Sequence, residues 1–401
     1  MVTETKDIKQ KEYNLIDLKI KSKEREIDIR RSFIQLNVFE DIFSNAMTGN
    51  IVMEDGLNLV ETLPIIGGEE LTLKYKTGEG DDVFNKTFII YKIENTELVK
   101  EKVKVYKIHF TSAIVLDNFN TRLSRYFEGY TSDIVKKILT TNLNIDESTI
   151  TTERTKSYKQ FVVPNWSALK TINYLAANSV SDFYDSGAYV LYEHRKGFSF
   201  VSLDFLADSD ETQHIVYTFN TNANEYTLNK AENWQIIESF DIIENTRRGM
   251  YGSSMLTHDI LKKSHQTTTM TYDKAFSQFT HLHEGGKPLT SETEFNTNNR
   301  LFFSSENYSN FDVMYRLKER VLRMREFENY KFLITLAGNS NQQVGNKIRF
   351  DVPSTKNAEI TTLDSFLAGY FLISKIKHTF TRESHEMVVE LRKDIFKGSN
   401  K

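Results

Sequence analysis

Tyr330-Lys331-Phe332-Leu333-Ile334-Thr335-Leu336-Ala337-Gly338-Asn339 begins a stretch, continuing to Asp394, whose reading decides the fold. Apolar side chains recur there at every second position: Phe332, Ile334 and Leu336; Ile348, Phe350 and Val352; Ile376 and Phe380 about His378; Met387, Val389 and Leu391. A period of two puts alternate side chains on opposite faces, so each run reads as a strand with one buried and one polar face. Ala337-Gly338-Asn339, Val344-Gly345-Asn346 and Gly369-Tyr370 punctuate the runs, which gives an antiparallel meander of four strands. Parallel strands would read as unbroken apolar runs, so the pattern points to a small barrel or sandwich. Gly338 and Gly345 bracket a turn, and both are expected to supply a positive φ that other residues reach only at a cost. Nothing in the stretch suggests catalysis.

Working outward, the chain has 401 residues, 39% hydrophobic and 12% aromatic, more than one core usually serves. A net charge of -4 with 26% charged residues lacks the basic excess of a protein that lives on nucleic-acid phosphates. Zero cysteines remove disulfides, thiolate metal sites and thiol nucleophiles together. Four prolines and 17 glycines argue against long flexible linkers. Met1 to Lys11 is polar and charged, and no apolar run approaches the roughly 20 residues of a membrane span. The expectation is a soluble protein made in the cytoplasm.

A second strand-rich block stands at the front. Ile16, Leu18 and Ile20 alternate, as do Ile34, Leu36 and Val38, then Leu71, Leu73 and Tyr75, Ile89, Tyr91 and Ile93, and Tyr106, Ile108 and Phe110. The middle differs. Thr131-Ser132-Asp133 offers a helix cap before Ile134, Val135, Ile138 and Leu139, and Pro164-Asn165-Trp166-Ser167 opens a second helix. Tyr189 to Val201 then forms a hairpin over Arg195-Lys196-Gly197.

The fold class expected is mainly β with an α+β middle: two antiparallel β-barrel domains flanking an α+β domain. The expected boundaries are a polar tail at 1–13, a first barrel at 14–117, and the middle domain at 118–232. A second barrel takes 233–275 and 327–395 around an insertion at 276–312, and a short tail takes 396–401. The two strand-rich blocks suggest an internal duplication, although no residue-level repeat is visible.

Chemistry-bearing constellations are weak. His281-Leu282-His283-Glu284 is the best metal candidate, yet a helical zinc site would need histidines four apart, and a polar loop is the plainer reading. No Gly-x-Ser-x-Gly elbow exists, and Gly78-x-Gly80 lacks the third glycine of a dinucleotide site. His378 alternates with Ile376 and Phe380 and reads as a core-edge histidine. Arg316, Lys318, Arg320, Arg323 and Arg325 surround an apolar stripe over Asp312 to Phe327. With Glu319, Glu326 and Glu328 interspersed, this reads as a solvated surface helix whose arginine stems cover apolar neighbours. No catalytic, cofactor or metal residue is assigned, and the chain is expected not to be an enzyme.

The order of these elements resembles the baseplate hub family of contractile phage tails, related in fold to the first part of type VI secretion spikes. The resemblance spans Leu15 to Asp394. It rests on the arginine-rich helix running into Tyr330 to Asn339, on Val344-Gly345-Asn346-Lys347-Ile348, and on Tyr370 to His378. Gly338, Gly345 and His378 match the family's glycine turn and strand-end histidine, and Pro164 and Trp166 match the segment opening its middle domain. The resemblance implies a homotrimer whose six barrels make a pseudo-sixfold ring between a sixfold tail tube and a threefold central spike. It further implies a virion location in the tail baseplate, with tube or tube-initiator, tape measure and baseplate wedge proteins as neighbours. DNA would be met only in transit through the lumen, where a slightly acidic charge avoids gripping it. The alternatives are a tail-associated cell-wall hydrolase and a carbohydrate-binding receptor module, the latter favoured by 19 tyrosines and 28 phenylalanines should many be exposed.

Overall fold

The computed structural model describes residues 12–23, 25–56, 65–78, 82–100, 103–156, 158–217, 229–259, 263–283, 287–288, 300–304, 311–354, 363–364 and 366–396. The front strands are β1 (Asn14–Ser22), β2 (Arg25–Asp28), β3 (Phe33–Asp41), β4 (Thr48–Asp55), β5 (Glu70–Lys76), β6 (Phe84–Lys100) and β7 (Val103–Ser112). The middle carries α1 (Ile114–Asn120), β8 (Arg122–Leu123), β9 (Tyr126–Tyr130), α2 (Thr131–Asn142), β10 (Ile150–Thr152), β11 (Tyr158–Val162) and β12 (Trp166–Ser167). It continues with α3 (Ala168–Ala177), β13 (Tyr189–His194), β14 (Gly197–Ser202) and α4 (Leu203–Asp208). Then come β15 (Glu211–Val216), β16 (Ala231–Glu238), α5 (Ile242–Arg247), β17 (Gly252–Asp259), β18 (Ser264–Thr271) and α6 (Tyr272–Phe276). The last elements are β19 (Lys287–Pro288), β20 (Arg300–Ser304), α7 (Phe311–Asn329), β21 (Tyr330–Ala337), β22 (Lys347–Asp351), β23 (Gly369–Phe380), β24 (His385–Lys393) and β25 (Ile395–Phe396).

The two strand-rich ends join in one continuous sheet, ordered β16-β21-β24-β23-β3-β4-β7-β6-β5-β1-β2. The seam is the antiparallel pairing of β23 with β3, from Lys375↔Asp41 to Phe380↔Leu36. β23 is long enough to serve two neighbours on one edge. Its first residues pair with β22, from Phe350↔Gly369 to Lys347↔Leu372, and after a register shift at Ser374 the rest pairs with β3. The Ser374 hydroxyl fills that bulge by donating to Glu390 at 2.7 Å. β22 also carries β15 in parallel, and a single isolated bridge, Val216↔Lys230, links β15 back towards β16. No sheet closes through a full ladder among the described residues.

Alternation places the cores. Leu18, Ile20, Leu36, Val38, Leu71, Leu73, Ile108 and Phe110 fill the front core, and Ile334, Leu336, Ile348, Phe350, Ile376, Val389 and Leu391 fill the C-terminal one. The seam mixes them: Phe380 of β23 belongs to the front core, and Ile42, just past β3, to the other. The middle has its own cluster, where the stripe Ile134, Val135, Ile138 and Leu139 of α2 packs with Ile172 and Leu175 of α3.

Both middle helices are capped from a distance. α2 starts at Thr131 itself with no side-chain cap from Tyr130, and its Ser132 N–H donates to Thr155 Oγ1 at 3.0 Å. The Leu169 N–H of α3 donates to Asn118 Oδ1 at 2.8 Å. Local caps were superfluous because tertiary partners took the orphan donors. β16 sits in the large sheet, whereas β17 pairs with β18 and with β20 in a separate three-stranded sheet.

Candidate functional site

The loop Gly338–Asn346 between β21 and β22 touches residues of the front, middle and C-terminal parts. Gly338 N–H donates to His385 O at 2.8 Å, and the Ser340 N–H donates to Thr77 Oγ1 at 2.8 Å. Asn341 Oδ1 accepts from the Asp82 N–H and from Arg195, each at 3.3 Å. Gln342 donates to Gln213 at 2.5 Å, Val344 N–H to Glu40 at 3.3 Å, and Gly345 N–H to Ile373 O at 2.9 Å. Front, middle and C-terminal residues are thus fastened by nine consecutive positions. Beside the loop, buried Glu193 accepts from the Met47 N–H at 2.8 Å and from Lys86 at 2.6 Å, adding a second tie between middle and front.

Two glycines are obligatory here for different reasons. Gly345 has φ +86, as expected, and a Cβ there would also come within 2.3 Å of the Tyr192 hydroxyl. Gly338 corrects the expectation: its φ lies outside the left-handed region, and the constraint is steric. A Cβ would meet His385 Nδ1 at 2.0 Å, because the imidazole lies flat against the loop.

His378 proves fully buried, with Nδ1 3.0 Å from His385 Nε2 and Nε2 3.5 Å from Glu40 Oε1. His385 stacks on Phe380 at 4.1 Å between ring centroids and meets Tyr75 edge-on at 5.5 Å. Burial, and then His378, push its imidazole well below the ordinary range. Pro164 is exposed, followed by Asn165 at φ +54, and Trp166 packs edge-on to Tyr174 at 5.2 Å under the Lys170 ammonium. These two lie far in sequence from the loop and precede α3, Trp166 in the short strand β12.

Sequence reasoning missed a second centre altogether. α7 is no solvated surface helix where its side chains are described: Arg323, Glu319, Glu326, Leu322 and Phe327 are all buried. Arg323 Nη1 lies 2.6 Å from Glu326 and 2.8 Å from Asp394, its Nη2 3.4 Å from Asp204, and it donates to Thr280 O. Burial alone would lower its pKa, but Asp204, Asp394 and Glu326 together hold it above the ordinary value. Arg320 donates to the carbonyls of Gly187 at 2.9 Å and Tyr189 at 2.8 Å, with burial pushing its pKa down to about 10. The available signal was the spacing of Arg320, Arg323 and Glu326, three apart and so on one helical face.

His281 joins this centre. Its Nε2 faces Phe276 O at 2.8 Å and its Nδ1 faces Asp394 Oδ2 at 3.0 Å. Both partners are acceptors, so only the imidazolium satisfies both. Although burial opposes it, the Asp394 contact raises the His281 pKa. His281, Glu326 and Asp394 present ligand atoms within 4.8 Å of one another. The guanidinium of Arg323 already stands among them, which makes this an ion network with a resident cation. His283 lies instead against the Tyr370 ring, 5.5 Å away.

No protein-family model matches the chain, and no curated protein matches it by sequence. Solved structures do. A tail protein from Neisseria meningitidis MC58 superposes with a TM-score of 0.61 at 10% identity, covering 95% of this chain and 97% of that one. The 43 kDa tail protein of prophage MuSo2 from Shewanella oneidensis gives 0.58 at 9% identity, covering 94% and 97%. A chain of the half-lidded Francisella PdpA-VgrG complex gives 0.51 at 11% identity, covering 97% of this chain and 59% of that one. The fold is that of phage tail proteins and of a chain in a VgrG complex, over nearly the whole length.

Proposed function

We propose that the chain is a structural component of a contractile tail, the baseplate hub, in which three copies form a ring adapting a sixfold tube to a threefold central spike. The observation that carries this reading is the continuous sheet, which sets two strand groups side by side within one subunit while the tail-protein fold spans the full chain. The front group, residues 14–117, is read as one barrel and the C-terminal group, residues 233–275 with 327–395, as the other, although within it β17 and β18 stand in their own three-stranded sheet with β20. The bridge Val216↔Lys230 supports closure of the second. Residues 118–232 form the domain between them, and 276–312 the insertion.

The sheet ends suggest where a neighbour docks. β2 ends the sheet with exposed Arg25, Glu26 and Asp28, charges that discourage strand pairing. At the other end β16 and the segment after it expose Ile237 at 48%, Phe240 at 56% and Ile243 at 82%. Unlike ends suit a heterologous, ring-closing contact between copies. The expected partners are the spike, the tube or its initiator, tape measure and wedge proteins, with DNA in transit only, in the virion tail baseplate. A non-enzymatic role is supported by the Arg323 cluster being buried and held by its own ion pairs.

The test is analytical ultracentrifugation of the chain with its spike partner. Three copies per complex are expected, and Ile237→Glu with Ile243→Glu should abolish that assembly without changing the fold by circular dichroism. A stable complex of any other stoichiometry overturns the reading. A carbohydrate-binding role is favoured by one feature: Tyr126 and Tyr158, about half exposed, stand on one face of the β9–β11 pair with Glu128 accepting from both hydroxyls.

A further inference from the structure

Two histidines clasp the junction loop, and the surroundings of one, His385, assign it as neutral. At one end, the Glu40 carboxylate 3.5 Å from His378 Nε2 disfavours a lone pair there, which leaves His378 Nδ1 to accept the Nε2–H of His385. His385 Nδ1 is then a lone pair with no partner, pressed against Gly338 so closely that a Cβ would come within 2.0 Å. At the other end, His194 Nδ1 accepts the Lys196 N–H at 3.2 Å and lies 3.1 Å from Gln343 Oε1, while Nε2 meets Ser199 at 3.0 Å. A proton added to His385 Nδ1 finds no acceptor, whereas one added to His194 Nδ1 meets the Lys196 N–H but also faces Gln343 Oε1. His385 therefore cannot charge while the loop is seated.

We propose that the loop Gly338–Asn346 is an acid-released latch: protonation of His385 requires the loop to leave its seat, which undoes the loop's own ties to the front strands and the middle. The groups facing His385 are His378 from β23, Glu40 from β3, Tyr75 from β5 and Tyr13 ahead of β1. His194 differs: burial holds it down to about 4, but Glu40 and the loop's own Gln343 Oε1 favour its charge. No acceptor touches His385 Nδ1, so nothing on the seated loop rewards a charge there. The seam ladder β3–β23 stays paired when the loop lifts, because its hydrogen bonds do not pass through the loop. Acid therefore loosens the junction before it unfolds the sheet.

Hydrogen exchange read by mass spectrometry on the full chain, between about pH 7 and 5, tests this above the ordinary carboxylate range. After correction for intrinsic rates, peptides spanning 337–346 should exchange about tenfold faster per pH unit below about 6.5, the slope of a one-proton opening. Peptides from β4 and β24 should remain far slower throughout. His385→Phe, which keeps the stack, should flatten the loop's pH response. Parallel acceleration of loop and core peptides, or a loop response unchanged in that variant, overturns the latch. Should the variant fail to fold, the loop-versus-core comparison in the parent chain decides.

Discussion

The junction loop and the Arg323 centre both join separate stretches of chain with buried polar groups, and they do it by opposite means. The loop contributes only neutral groups of its own, backbone N–H groups and amides, even where Glu40 and Arg195 are the partners, and fits so tightly that Gly338 has no room for a methyl group. The Arg323 centre uses charge: a guanidinium and an imidazolium face Asp204, Glu326 and Asp394. Neutral groups leave little desolvation debt but demand exact shape, whereas ions tolerate looser geometry but require every partner. The two regions should therefore fail differently.

The largest effect is expected at the charged centre. Arg323→Met should strand the carboxylates of Asp204 and Asp394 in the interior and cost about 3–5 kcal/mol in urea unfolding. A loss below about 1 kcal/mol would mean that the centre is not ionised as its geometry implies. Next comes the loop. Gly338→Ala should cost about 1–3 kcal/mol by overpacking against His385, and His385→Ala in the same chain should recover most of that loss. A full loss in both backgrounds would place the constraint in the backbone instead.

Gly345→Ala sharpens the contrast, since two causes act there. The left-handed backbone should cost about 1–2 kcal/mol whatever the surroundings. Tyr192→Phe should relieve only the hydroxyl contact and leave the conformational part intact.

The two regions should also answer pH with opposite signs. His281 has a raised folded pKa, so its contribution is complete below the unfolded value near 6.5 and is lost as pH rises through the folded one. His194 and His385 are depressed, so the unfolded chain binds more protons and stability falls as pH drops below about 6.5. Each slope approaches about 1.4 kcal/mol per pH unit for one proton. Unfolding free energies across that range should lose the alkaline limb in His281→Gln and weaken the acid limb in His194→Gln. The smallest effect is the baseline: breaking the exposed Lys136–Glu147 pair by Lys136→Ala should change stability by no more than about 0.5 kcal/mol.

Much of the fold was legible. Alternation at Phe332, Ile334 and Leu336 and at Leu71, Leu73 and Tyr75 named core residues correctly, because a strand half in water must alternate. The α2 stripe was equally plain. Arg323 of α7 was misread, since a cation on a helix is ordinarily solvated and here distant carboxylates hold it inside. Asp204 and Asp394 lie 190 positions apart in the chain (394 − 204 = 190), and no local pattern links them to Arg323.

By itself the sequence determined the mainly β class, the helical middle and the order of elements that resembles tail hubs, because each follows from local periodicity. The tertiary structure alone decided that β23 bulges at Ser374 and passes from β22 to β3, making one sheet of the two ends. It alone decided that Gly338 answers to His385, and that His281 pairs with Asp394 while His283 does not. Such facts depend on residues far apart in the chain being brought within a few ångströms, and periodicity carries no information about which distant partner a face will meet.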